Sequence, residues 1–119
     1  MPAAKYDFEI EQGASFALAF VYKDSSGVPV NLTGYTARMQ IRASVSAPGV
    51  LLDLNTDNGR LVLSHAAGRV AIELDPATTA AFAWRKGVYD LELVSPSGGV
   101  VRLVEGQITV SREVTRNGA

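Results

Sequence analysis

The chain has 119 residues, 47% of them hydrophobic and 19% charged, and a formal net charge of −1. That length suits one domain with a single core, and the near-neutral balance provides no global field for nucleic acid or acidic lipid. There is no cysteine and one histidine, His65, which excludes disulfides, thiolate metal sites, a cysteine nucleophile and a histidine metal cluster.

The apolar runs fall far short of the roughly 20 residues that span a bilayer. The segment from Met1 to Asp7 lacks the apolar core of a signal peptide, so a protein made and kept in the cytoplasm is expected. Tyr6, Phe8 and Ile10 alternate with Asp7, Glu9 and Glu11, the period of a half-buried strand. Gln12-Gly13 breaks that strand. Ser15 to Lys23 resumes the alternation, with Phe16, Leu18, Phe20 and Tyr22 on one face and Ala17, Ala19 and Val21 on the other. Apolar residues on both faces predict a central strand covered on both sides. Asp24-Ser25-Ser26-Gly27 is a turn, and Pro29 cannot donate to a ladder.

Thr36 to Ala43 reads as a one-sided strand, with Ala37, Met39 and Ile41 inward and Arg38, Gln40 and Arg42 outward. Ser44 to Gly49 is loop. Val50 to Asn55 and Arg60 to Ser64 are strands, and the Asn58-Gly59 pair between them predicts a hairpin. His65-Ala66-Ala67-Gly68 turns the chain into a strand from Arg69 to Leu74. One short helix is expected near 76–82, with Asp75 as N-cap and Pro76 at its first position. Phe82 and Trp84 then pin the segment against an open end of the fold. Val88 to Val94 and Val100 to Val104 form a hairpin around Ser95 to Gly99. Glu105-Gly106 interrupts the return before Gln107 to Val110, and predicts a bulge that bends the last strand into both sheets. Eight or nine short strands at regular spacing argue for an all-β antiparallel sandwich or small barrel. The whole chain, 1–119, is one domain, with 1–5 and 112–119 as flexible or partner-ordered arms.

The candidate chemistry is thin. Asp90 and Glu92, joined by Glu105, are candidates for the two carboxylates that glycosidases use, but the alternation of Asp90 and Glu92 with Tyr89, Leu91 and Leu93 marks a solvent or interface face. Ser64 and His65 are neighbours, and neighbours on a strand point to opposite faces. Asn31-Leu32-Thr33 matches a glycosylation acceptor and more simply shapes the turn before Gly34. Arg38, Arg42, Arg60, Arg69, Arg85, Lys86, Arg102, Arg112 and Arg116 are dispersed. The excess of Arg over Lys favours protein interfaces. No catalytic, cofactor-binding or metal-binding residue is assigned, and no enzyme is expected.

Three passages carry a family resemblance. They are Glu11 to Phe16, Gly27 to Arg42, and Gly87 to Leu93 continuing through Leu103 to Val110 and Glu113 to Arg116. Together they resemble a family of small β-sandwich proteins encoded among the virion genes of tailed bacteriophages and prophages. They are also similar to the N-terminal attachment domain of phage baseplate upper proteins. The resemblance spans roughly Tyr6 to Arg116 and implies an immunoglobulin-like β-sandwich. It further implies a virion component, made in the host bacterial cytoplasm, whose partners are other virion proteins of the tail, baseplate, fibre or capsid. A symmetric multi-copy assembly follows, with no cofactor, no nucleic acid and no membrane. The chain ends at Ala119 without a fibre-forming segment, which suits an adaptor joining a fibre or spike to the tail or baseplate. A head decoration or cement protein and a sugar-binding adhesion module are the alternatives.

Trp84, Tyr89, Leu91 and Leu93 are expected in the core. Leu91→Ala should therefore cost about 2–5 kcal/mol in chemical denaturation. A loss below about 0.5 kcal/mol would place the strand the wrong way round.

Overall fold

Side-chain alternation sorts the strands into two layers, each burying one face. The computed structural model describes residues 3–115. Its elements are β1 (Ala4–Lys5), β2 (Phe8–Glu11), β3 (Phe16–Val21), β4 (Thr36–Arg42), β5 (Leu52–Asn55), β6 (Leu61–Ser64), β7 (Arg69–Leu74), α1 (Pro76–Ala80), β8 (Lys86–Val94) and β9 (Val100–Ser111). The larger sheet runs β1-β9-β8-β4-β5, with β2 also on β9, and the smaller runs β3-β7-β6. Met39, Ile41, Leu54, Leu91, Leu93, Val104 and Ile108 from the large sheet bury against Leu61, Val70, Ile72 and Leu74 from the small one. The sandwich expected from the strand spacing is what forms.

Local signals act as their chemistry dictates. Ala37, Met39 and Ile41 are buried while Arg38 and Gln40 are exposed. The Asp75 carboxylate accepts from Thr78 N at 2.8 Å and caps α1, with Pro76 at its first position. The helix stops at Ala80, short of 82, and Phe82 N donates to Thr79 O. Asn31 Oδ1 accepts from both Thr33 N and Thr33 Oγ1, the turn its side chain was expected to shape. Tyr89, Leu91 and Leu93 lie in the core. Trp84 sits at its margin, half-buried against Phe82 with ring centroids 4.9 Å apart.

The N-terminal segment departs from the purely antiparallel picture. Ala4, Lys5 and Phe8 to Glu11 pair in parallel with β9, always with the residue one hundred positions further on, as in Ala4 with Val104 and Ile10 with Val110. Ala4 and Lys5 are thus held by the chain's own sheet rather than forming a free arm. Between the two pieces, Tyr6 N donates to Glu105 O at 2.9 Å. The Tyr6 carbonyl accepts from the Tyr89 hydroxyl at 2.6 Å, and Asp7 Oδ1 takes the Gln107 N–H at 2.8 Å. At the far end, Gln12 Oε1 accepts from Glu113 N, while Gln12 Nε2 reaches Phe82 O. Met1, Pro2 and residues 116–119 of the expected arms lie outside the described residues.

Three expectations are corrected. The Asn58-Gly59 turn does not close a hairpin, because β5 pairs with β4 and β6 with β7. A two-residue hairpin of that kind needs positive φ at both central positions, and only Gly59 has it, at φ 78. Asn58 and Asn55 instead exchange side-chain-to-backbone hydrogen bonds, and the chain crosses from one sheet to the other. Next, among the described residues β3 pairs only with β7 and is an edge strand rather than a central one. Last, the bulge is not at Glu105-Gly106. Those residues face Asp90 and Tyr89 in regular register, and the extra residue is Leu103, between Val104 opposite Leu91 and Arg102 opposite Glu92. β9 stays within one sheet. Gly106 is glycine because a Cβ there would fall on the Tyr6 carbonyl oxygen, a close backbone approach.

Gly106→Ala should therefore destabilise by about 1–3 kcal/mol, as overpacking does, and raise hydrogen exchange at the Tyr6 amide. A change below about 0.5 kcal/mol with Tyr6 still protected would contradict this packing.

Candidate functional site

The outer face of the large sheet carries a network of ion-paired polar side chains. Strand register builds it. Side chains on one face alternate with those buried in the core, so Arg38, Gln40 and Arg42 on β4 align with Asp90 and Glu92 on β8 and with Arg102, Glu105 and Gln107 on β9. Arg38 is directly opposite Glu92, and Glu92 opposite Arg102. In the adjoining row Gln40 faces Asp90, Asp90 faces Glu105, and Glu105 faces Lys5. Lys5, Tyr6 and Asp7 on one side and Val45 on the other rim an open concavity of about 770 Å³.

Asp90 opposite Glu105 is a like-charge pair, which costs stability when left alone. Arg102 relieves it. Its Nε lies 3.4 Å from Asp90 Oδ2 and its Nη1 3.3 Å from Glu105 Oε1. The bulge at Leu103 sets Arg102 opposite Glu92 while leaving it in reach of the adjoining row. Lys5 Nζ takes the other Glu105 oxygen at 3.3 Å, and Arg38 Nε pairs with Glu92 Oε1 at 2.8 Å. Arg42 donates to Gln40 Oε1 and to the Ala47 carbonyl, each at 2.8 Å, which fixes the Ser44 to Gly49 loop at the rim.

Partial burial, followed by the neighbouring Glu92 charge, raises the Asp90 carboxyl above its ordinary value; Arg102 opposes the shift and Glu105 adds to it. Burial likewise pushes the Tyr89 hydroxyl far above its ordinary value, with the Asp7 charge next in weight. Tyr89 therefore remains a neutral donor to the Tyr6 carbonyl.

The other sequence candidates do not join this face. His65 is exposed in its turn, where its carbonyl accepts from Leu32 N and Gly68 N. Arg60 Nη1 binds the Asp53 carbonyl at 3.0 Å on the β5 edge. Arg69 lies on β7 of the small sheet, Arg85, Lys86 and Arg112 are exposed, and Arg116 lies outside the described residues. Asp90, Glu92 and Glu105 do come together, held by arginine and lysine. Lys5 and Asp7 complete the face, and only the pairing of β1 and β2 with β9 brings them there. Among the described residues no group of three or more His, Cys, Asp or Glu side chains could hold a metal ion.

No family model matches the sequence, and no curated protein matches it. The fold is similar to a crystal structure of a chicken TCR, at a TM-score of 0.55 and 14% identity, covering 97% of this chain. This chain spans 56% of that chain's length. At that identity the likeness is one of fold, and the sandwich is immunoglobulin-like.

A carboxyl raised in the folded state binds its proton more readily there than in the unfolded chain. Asp90 therefore lowers stability as pH rises from the ordinary value of 3.8 through the raised one. Asp90→Asn should raise the thermal midpoint at pH 7, and the gain should shrink as pH falls below that range. A lower midpoint at pH 7 would show that the pair with Arg102 outweighs burial and Glu92.

Proposed function

We propose that this chain is a protein-binding structural module and, more finely, a component of a tailed-bacteriophage or prophage virion that joins a fibre or spike to the tail or baseplate. The observation that supports protein binding is the outer face of the large sheet. Rows of mixed charge, Arg38-Glu92-Arg102 and Gln40-Asp90-Glu105-Lys5, are held there at fixed strand spacing across β4, β8, β9 and β1. Exposed ion pairs contribute only about 0–1 kcal/mol each to folding. Such a pattern is better suited to choosing a partner and fixing its register, which is what complementary charge does at an interface. Arg38, Arg42 and Arg102 supply the planar heads that interfaces favour.

The finer reading rests on the resemblance of Glu11 to Phe16, Gly27 to Arg42, and Gly87 to Leu93 with Leu103 to Val110 and Glu113 to Arg116, to the phage β-sandwich family. On that reading the partners are other virion proteins in a symmetric multi-copy set, and neither nucleic acid nor membrane is required. Tyr6, 46% exposed where its ring packs between the sheets against Phe8 and Phe20, is the feature that favours the sugar-binding alternative, since exposed aromatic rings stack on sugars.

A photo-cross-linking residue at Gln40, carried through particle assembly, tests the proposal. The expected product is a covalent adduct with a tail or baseplate protein. Absence of the chain from purified particles, or adducts formed from position Glu73 on the small sheet but not from Gln40, would overturn it.

A further inference from the structure

The two sheets have four lateral edges, and they are not equally guarded. The edge formed by β1 and β2 is broken at Tyr6-Asp7 and carries Lys5, Asp7, Glu9 and Glu11. The β5 edge is plugged: Asn58 Nδ2 and Arg60 Nη1 both donate to the Asp53 carbonyl, and Asn55 N donates to Asn58 Oδ1. The β6 edge is only four residues long. Charges, plugs and shortness are the usual means of keeping an edge from pairing with another chain. Among the described residues the β3 edge has none of them. It runs six residues, Phe-Ala-Leu-Ala-Phe-Val, without a charge, proline or bulge, and the sequence carries no charge from Gln12 to Tyr22.

The register shows which backbone groups are open. Tyr22 N donates to Gly68 O, in line with Phe20 opposite Val70 and Phe16 opposite Leu74. The even-numbered residues of β3 therefore bond to β7, and the N–H and C=O groups of Ala17, Ala19 and Val21 point to the open side. Val21 is 44% exposed, and on the core side the Tyr6 ring rests edge-on against Phe20 at 5.7 Å.

We propose that the β3 edge pairs with the β3 edge of a second copy of this chain, antiparallel about a two-fold axis at Ala19. That register sets Ala19 opposite Ala19 and Ala17 opposite Val21, so the open donors of each copy meet the open carbonyls of the other. It also keeps faces matched, since Leu18 falls opposite Phe20 on the core side. Charge is complementary across the seam. Glu73 lies behind Ala17 and Arg69 behind Val21 on β7, so each row ends in glutamate on one copy and arginine on the other. No like charges face one another. Two three-stranded sheets become one continuous sheet, and β3, apolar on both faces, gains the central position its composition suits. The inference is independent of the virion reading, because it uses only the sheet edges of this chain.

A charge-swap experiment on the full chain tests it. Sedimentation should show a dimer that forms with rising concentration, up to about 1 mM for a weak edge contact. Ala19→Lys and Ala19→Glu, each placing like charges at the two-fold axis, should be folded monomers by circular dichroism. Their equimolar mixture should recover the dimer. In the parent protein, exchange of the Ala17, Ala19 and Val21 amides should slow as concentration rises, a readout that needs no variant. A parent chain monomeric throughout that range, a dimer that survives Ala19→Lys, or amide exchange at these positions independent of concentration would overturn the proposal.

Discussion

The structure depends on β9 being held from both sides. On one side it forms a hairpin with β8, and on the other it takes the N-terminal segment in parallel over Ala4 to Glu11. Parallel pairing across a separation of a hundred residues draws on no local turn. It is secured at the one place where the ladder breaks, where Tyr89 Oη donates to the Tyr6 carbonyl, Asp7 replaces a backbone acceptor for Gln107 N, and Gly106 leaves room for both. The neutral, buried Tyr89 hydroxyl suits that junction, since an ionised phenol would put a negative charge against a carbonyl oxygen and the Asp7 carboxylate.

Two consequences follow from where that strand goes. By lying on β9 it brings Lys5 and Asp7 to the rim of the charged outer face, where Lys5 shares Glu105 with Arg102. Among the described residues it also leaves β3 without a strand on its open side. Tyr6 and Phe8 close the gap between the sheets with their rings, Phe8 against Phe16 at 5.4 Å and against Tyr89 at 5.1 Å. These rings seal the core but supply no backbone partner. One segment thus completes one surface and exposes another.

What could be read from the residues alone was local. The β8–β9 hairpin, the inward set Ala37, Met39 and Ile41, the Asp75 cap and the Asn31 turn each depend on neighbours a few positions apart. The immunoglobulin-like sandwich followed from their spacing together with the family resemblance. Three things were hidden because their causes are distant. Gly106 could mark a bulge or a close approach, and only the position of Tyr6 decides between them. Asn58-Gly59 has hairpin composition, but Asn58 keeps a negative φ and spends its amide on Asp53 and Asn55. β3 is as apolar as a central strand while sitting at an edge. The candidate face was half visible: Asp90, Glu92 and Arg102 alternate on the hairpin, whereas their ion-paired rows need the bulge at Leu103 and the arrival of Lys5.

The proposed role as a virion adaptor and the charged face stand together, since that face is where a fibre or tail protein would dock. The most direct measurement is a reconstruction of the whole particle with this chain located and counted. The account predicts a small symmetric set at the tail or baseplate, with Arg38, Asp90 and Arg102 against a neighbouring protein. Copies spread over the head lattice, or a tail position with that face turned to solvent, would contradict it.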